Sequence, residues 1–101
     1  MFDTIEVTHA CSNCEEQLQD YQTKALDNLG DRYQLGDSVN RNPDRRTIII
    51  GSFEIYDYCS GCTTRIEGRA YVKDGLLSKV VEFDEQGIEK VIAEYVPGRS
   101  P

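Results

Sequence analysis

Four cysteines stand in two Cys-x-x-Cys pairs, Cys11/Cys14 and Cys59/Cys62, with 44 residues between the pairs. A two-residue gap lets a turn aim two sulfurs at one point, and two such gaps supply the four thiolates that a tetrahedral metal ion takes. The pattern assigns Cys11, Cys14, Cys59 and Cys62 to one zinc ion. Four thiolates leave no open coordination position, so an ion held there organises a fold and does not activate water. Iron takes the same ligands, and spacing does not separate the two metals. Two disulfides would need an oxidising compartment, and a thioredoxin-like redox pair would need a βαβ setting that this β-rich pattern lacks.

Other residues offer less chemistry. His9, the single histidine, lies two positions before Cys11; a four-thiolate site has no vacancy for it, so it reads as an ordinary exposed histidine or one supporting a ligand. Any Cys–His or Ser–His–Asp arrangement would have to draw on that one residue, and no catalytic residue is assigned. Arg41, Arg45 and Arg46 cluster in a turn sequence and form a candidate contact for a partner or for nucleic acid, with Arg65 and Arg69 following the second pair. Asp44 and Glu67 stand beside them as balancing charges, which is the pattern of a solvated loop and strand face. Tyr56, Tyr58 and Tyr71 read as core lid or as an aromatic contact surface. The adjacent acids Glu15/Glu16 and Asp84/Glu85 have no apolar surroundings in the sequence that would raise a carboxyl pKa.

The elements that must position the cysteines read as mainly β. Thr4 to Ala10, with Ile5 and Val7 alternating against Glu6 and Thr8, predicts a half-buried strand delivering the chain to the first pair. Glu15 to Leu29 fits either helical spacing or a strand, and a strand as far as Thr23 is preferred because a metal knuckle joins two strands. Gly36-Asp37 marks a turn, and Asn40 to Arg45 an exposed loop. Thr47 to Tyr58 is the strongest strand signal, with Gly51 as a bulge or bend. Asp74-Gly75 predicts a type I′ hairpin that sets Val72 opposite Leu77, Ala70 opposite Lys79, Gly68 opposite Val81 and Ile66 opposite Phe83. After Asp84 as N-cap, Ile88, Val91, Ile92 and Tyr95 fall at helical spacing, predicting a short C-terminal α-helix ended by Pro97 and Gly98, with a loose tail over 97–101.

A chain of 101 residues suits one domain, residues 1–101, and an apolar fraction of 39% without tryptophan makes its core thin enough to need a cross-link or a metal. No stretch has the roughly 20 apolar residues of a membrane span, and the N-terminus lacks the features of a signal peptide, so a soluble, cytoplasmic protein is expected. Eighteen acidic against eleven basic residues give a net charge of −7, which opposes general attraction to phosphate backbones or anionic lipid. Only four lysines accompany those acids, a composition that resembles that of salt-adapted organisms.

The two cysteine knuckles and their flanking strands, Glu6–Leu18 and Ile55–Arg69, resemble the zinc ribbon group, in which two knuckles pinch one zinc ion. The chain also resembles small zinc-ribbon proteins of archaea and tailed viruses. Ribbon knuckles often carry glycine just after the second cysteine; here Glu15 and Thr63 hold those places. The resemblance implies a non-catalytic adaptor or structural protein that docks on a larger protein assembly, in a host cytoplasm or virion if viral. It leaves open a nucleic-acid-associated regulator of transcription or replication, and a thiol redox or metal-handling protein.

Overall fold

A computed structural model describes residues 2–11, 13–40 and 49–96. The Arg41/Arg45/Arg46 cluster, the first residues of the predicted Thr47–Tyr58 strand and the predicted tail over 97–101 lie outside them. Nine strands are present among the described residues: β1 (Asp3–Ile5), β2 (His9–Ala10), β3 (Gln17–Leu18), β4 (Tyr21–Thr23), β5 (Arg32–Tyr33), β6 (Gly51–Tyr58), β7 (Arg65–Lys73), β8 (Leu76–Phe83) and β9 (Glu89–Glu94). Seven form one sheet in the order β5-β1-β4-β6-β7-β8-β9, while β2 and β3 pair as a separate two-stranded ribbon.

The long strands form where β-branched and aromatic residues alternate with polar ones. In β6, Phe53 and Ile55 turn inward while Glu54 faces solvent, and in β7 the inward residues are Ile66, Gly68 and Ala70. They pack with Ile5, Tyr21, Tyr33, Val39, Leu77 and Val80, all completely buried, and with Cys11 and Cys59. The core therefore reaches the base of both cysteine pairs. Ambiguous Glu15–Leu29 resolves as strands β3 and β4, and Gly51 opens β6 as a bend. Asp3, also fully buried, ties the edge of the sheet: its carboxylate accepts from the amides of Asn28, Leu29 and Asp31 at 2.8, 3.1 and 2.9 Å.

Two expectations are corrected. The Asp74-Gly75 turn has positive φ at both residues, 54° and 78°, as a type I′ turn requires, and Val72 faces Leu77 as predicted. Beyond that pair a bulge at Ser78 moves the register by one: Tyr71 faces Lys79, Ala70 faces Val80, Arg69 faces Val81 and Gly68 faces Glu82. The Ser78 hydroxyl donates to the Tyr71 carbonyl at 3.0 Å, and its own carbonyl accepts from the Tyr95 amide at 2.7 Å. The bulge replaces Lys79 with Val80 on the core face and leaves Phe83 partly exposed, so burial gains where strict alternation would have buried a lysine.

The second correction concerns the C-terminal helix. No helix forms among the described residues; Glu89–Glu94 is strand β9, antiparallel to β8. Asp84 is no N-cap. Its Oδ1 accepts from the amides of Gln86 and Ile88, both at 2.8 Å, closing a hairpin loop. The helical spacing of Ile88, Val91 and Ile92 arises from a second bulge: Val81 pairs with Val91 and Val80 with Ala93, leaving Ile92 as the extra residue. A bulge sets two successive apolar residues side by side, which mimics the i, i+3, i+4 spacing of a helix. β8 supplies an open sheet edge, and β-branched Val91 and Ile92 suit a strand.

Candidate metal centre

The first knuckle bridges β2 and β3, where His9 faces Leu18 and Ala10 faces Gln17. The Cys11 amide donates to the Glu16 carbonyl at 2.9 Å and the Glu15 amide to the Cys11 carbonyl at 2.8 Å, which curls the chain around the Cys11 sulfur. The second knuckle bridges β6 and β7 beyond their last pair, Tyr58 and Arg65, and the Cys59 amide donates to the Thr64 carbonyl at 2.9 Å. Glu15 and Thr63, at the places where ribbons often have glycine, take φ of 64° and 56°. Both knuckles thus adopt the left-handed turn without glycine, at a cost that is higher for β-branched Thr63.

The four sulfurs lie within 4.8 Å of one another, with Cys11 to Cys62 at 3.6 Å and Cys14 to Cys59 at 3.4 Å. Zn–S bonds of about 2.3 Å in a tetrahedron give sulfur–sulfur edges of about 3.8 Å, so the arrangement can hold one metal ion of that kind. Cys11 and Cys59 are buried, Cys62 is half-buried and Cys14 is exposed, so the site opens to solvent on one side. Hydrogen bonds from the Thr64 side chain and from Asn13 lead the effects that hold the Cys62 thiol down, at about 6. Burial, chiefly, pushes Cys59 up to about 12. A cation held by the four sulfurs would offset that burial cost by stabilising the thiolates.

Side chains around the cysteines link one knuckle to the other. Glu16 Oε2 accepts from the Gly61 amide at 3.0 Å and lies 3.2 Å from Cys59 Sγ. Asn13 Nδ2 donates to Thr64 Oγ1 at 3.2 Å, and that hydroxyl lies 3.2 Å from Cys62 Sγ. Nothing in residue type singles these out. The signal present is the likeness of Cys11-Ser12-Asn13-Cys14-Glu15-Glu16 to Cys59-Ser60-Gly61-Cys62-Thr63-Thr64, two knuckles with matching positions.

His9 is buried and lies outside the sulfur cluster. Its Nδ1 is 3.0 Å from the Val7 carbonyl, its Nε2 3.2 Å from Asp57 Oδ2, and its ring stacks on Tyr21 with centroids 3.9 Å apart. The Tyr21 hydroxyl donates to the Glu82 carboxylate, and burial, followed by that contact, raises the Tyr21 pKa. This polar network supports the first knuckle from below. Arg65 donates to Tyr58 and Glu67 at 2.6 and 3.1 Å and lies over the Tyr56 ring, while Arg69 donates to Ser52 at 2.9 Å and approaches Glu54 at 3.9 Å. Both arginines of the sheet face are therefore engaged within the chain.

No helix among the described residues is long and apolar enough to cross a membrane. No protein-family model, no curated protein and no solved structure matches this chain.

Proposed function

We propose that Cys11, Cys14, Cys59 and Cys62 hold one structural zinc ion, and that the ion fixes a non-catalytic β module that docks on a larger protein assembly. The observation that carries the metal reading is the convergence of four sulfurs from two distant knuckles within 4.8 Å. Tetrahedral zinc suits that ligand set, and four thiolates leave it no position for water or substrate. Each cysteine pair offers half of the ion's coordination, so the ion joins the β2–β3 ribbon to the β6–β7 hairpin. Metal analysis of protein purified under reducing conditions tests this: about one zinc per chain is expected, and a yield near zero, or iron in its place, overturns it.

The adaptor reading rests on a formal charge of −7 and on the apolar side chains left exposed along the last hairpin and just after it, Phe83, Ile88, Val91 and Val96. Nucleic-acid association draws less support, because Arg65 and Arg69 already have acidic neighbours in Glu67 and Glu54. Affinity capture from native lysate with and without nuclease separates the two. A stoichiometric protein partner that survives nuclease is the expected result; recovery that disappears with nuclease overturns the adaptor reading.

A further inference from the structure

The two knuckles are related by more than their cysteines. In each, the residue two positions after the second cysteine closes its own knuckle with its carbonyl and reaches across to the other knuckle with its side chain. Glu16 accepts through its carbonyl from Cys11 and through its carboxylate from Gly61; Thr64 accepts through its carbonyl from Cys59 and through its hydroxyl from Asn13. Gly61 and Asn13 occupy matching places, each just before the second cysteine of its pair. The result is a reciprocal latch made entirely of groups that are not metal ligands.

We infer that Glu16 is a positioning residue of the metal centre: its carboxylate pins the Gly61 amide, and so holds the second knuckle in place against the first. The inference rests on the four-thiolate reading above. Three observations carry it. The carboxylate oxygen that accepts from the Gly61 amide also accepts from the Cys59 thiol; a metal-bound thiolate has no proton to give, so the Gly61 amide is the contact by which Glu16 holds the turn once the sulfurs are ligands. Gly61 has no positive φ, so its backbone alone would accept a side chain; a Cβ there would project into the Glu16 carboxylate and force it to swing off the Gly61 amide. The contact bridges two elements that belong to different sheets, the β2–β3 ribbon and the β6–β7 hairpin, at the point where the ion would join them. A side chain at 61 would thus cost the latch its amide contact, and the two positions act as one unit.

Outer partners of metal ligands affect affinity by roughly 10- to 100-fold when removed. The full-length chain is loaded with Co2+ as a spectroscopic probe, and both its thiolate absorption and its transfer to a chelator are followed. Glu16→Ala is expected to release Co2+ roughly tenfold faster than the parent, with an altered ligand-field envelope. Glu16→Gln, whose amide oxygen still accepts from Gly61, is expected to keep the parent spectrum and a release rate close to the parent's. Gly61→Ala is expected to resemble Glu16→Ala, and the double substitution to be no worse than either single one, because the methyl group then has nothing to strike. Parent-like release from Glu16→Ala, equal damage from Glu16→Gln and Glu16→Ala, or additive damage in the double variant would each overturn the inference. A parent protein that gives no tetrahedral Co2+–thiolate spectrum would overturn the four-thiolate reading itself, and the inference with it.

Discussion

The two knuckles present similar sulfurs on very different supports. Cys59 and Cys62 sit at the end of a hairpin whose strands, β6 and β7, are eight and nine residues long and pair along eight positions. Cys11 and Cys14 sit between β2 and β3, two residues each, in a ribbon that shares no strand with the main sheet. A two-stranded ribbon of that length cannot hold itself together in water. The second knuckle is therefore prepared by the sheet, whereas the first has only the latch, the His9–Tyr21 contact and whatever ion the four sulfurs would hold.

Removing the metal is the most drastic way to expose that difference. With the ion chelated from reduced protein, amide exchange over residues 9–18 should speed up by at least about a hundredfold, equivalent to ~3 kcal/mol of lost protection, while β6 to β8 keep most of theirs. Equal loss in both regions would show that the two knuckles are held alike.

Next in size is Asp3, which anchors the strand leading into the first knuckle. Asp3→Ala strands three amide donors, at Asn28, Leu29 and Asp31, and should cost about 2–3 kcal/mol in urea unfolding. An effect below about 0.5 kcal/mol would mean that water replaces the carboxylate without penalty.

Tyr21→Phe should cost about 1–2 kcal/mol, because the Glu82 carboxylate, itself buried, loses its hydroxyl donor. The same variant carries a pH signature. Burial first, and Glu82 next, raise the folded pKa of Tyr21 above its ordinary value of 10.0. Its contribution is thus fully present below the unfolded pKa and is lost as pH rises past it, so parent stability should fall above about pH 10. Tyr21→Phe should flatten that fall; an unchanged alkaline profile would assign it to another group.

The smallest effect compares the knuckles directly. Thr63→Gly should stabilise the metal-loaded protein by about 0.5–1 kcal/mol by relieving a β-branched residue at φ 56°, and Glu15→Gly by less, since Glu15 is not branched at Cβ. Thermal melting at saturating zinc reads both. Destabilisation by Thr63→Gly would show that its hydroxyl, which donates to the Cys62 carbonyl at 2.7 Å, outweighs the backbone strain.

The gathering of Cys11 and Cys14 with Cys59 and Cys62, the β character of Gly51–Tyr58 within the predicted strand and the Asp74-Gly75 turn were legible in the sequence because each is a local rule: ligand spacing, β-branched runs and a turn that demands positive φ. The C-terminal segment was not, since Val91 and Ile92 look helical by spacing alone, and only the open edge of β8 decides for a strand. Ser78 was opaque for the same reason. Its bulge pays off only in the burial of Val80 against Ala70, a contact between chain segments that local pattern does not weigh.

What the sequence determined by itself, then, is the four cysteines that gather at one point and the strands that carry the second knuckle, through constraints acting over a few residues. Tertiary structure alone decided the buried place of His9 between Val7, Tyr21 and Asp57, and the union of Glu16 with Gly61 across 45 positions. These depend on which polar groups remain without water once the sheet has closed, and a buried donor or acceptor is satisfied by whatever partner the fold brings near, whatever its distance along the chain.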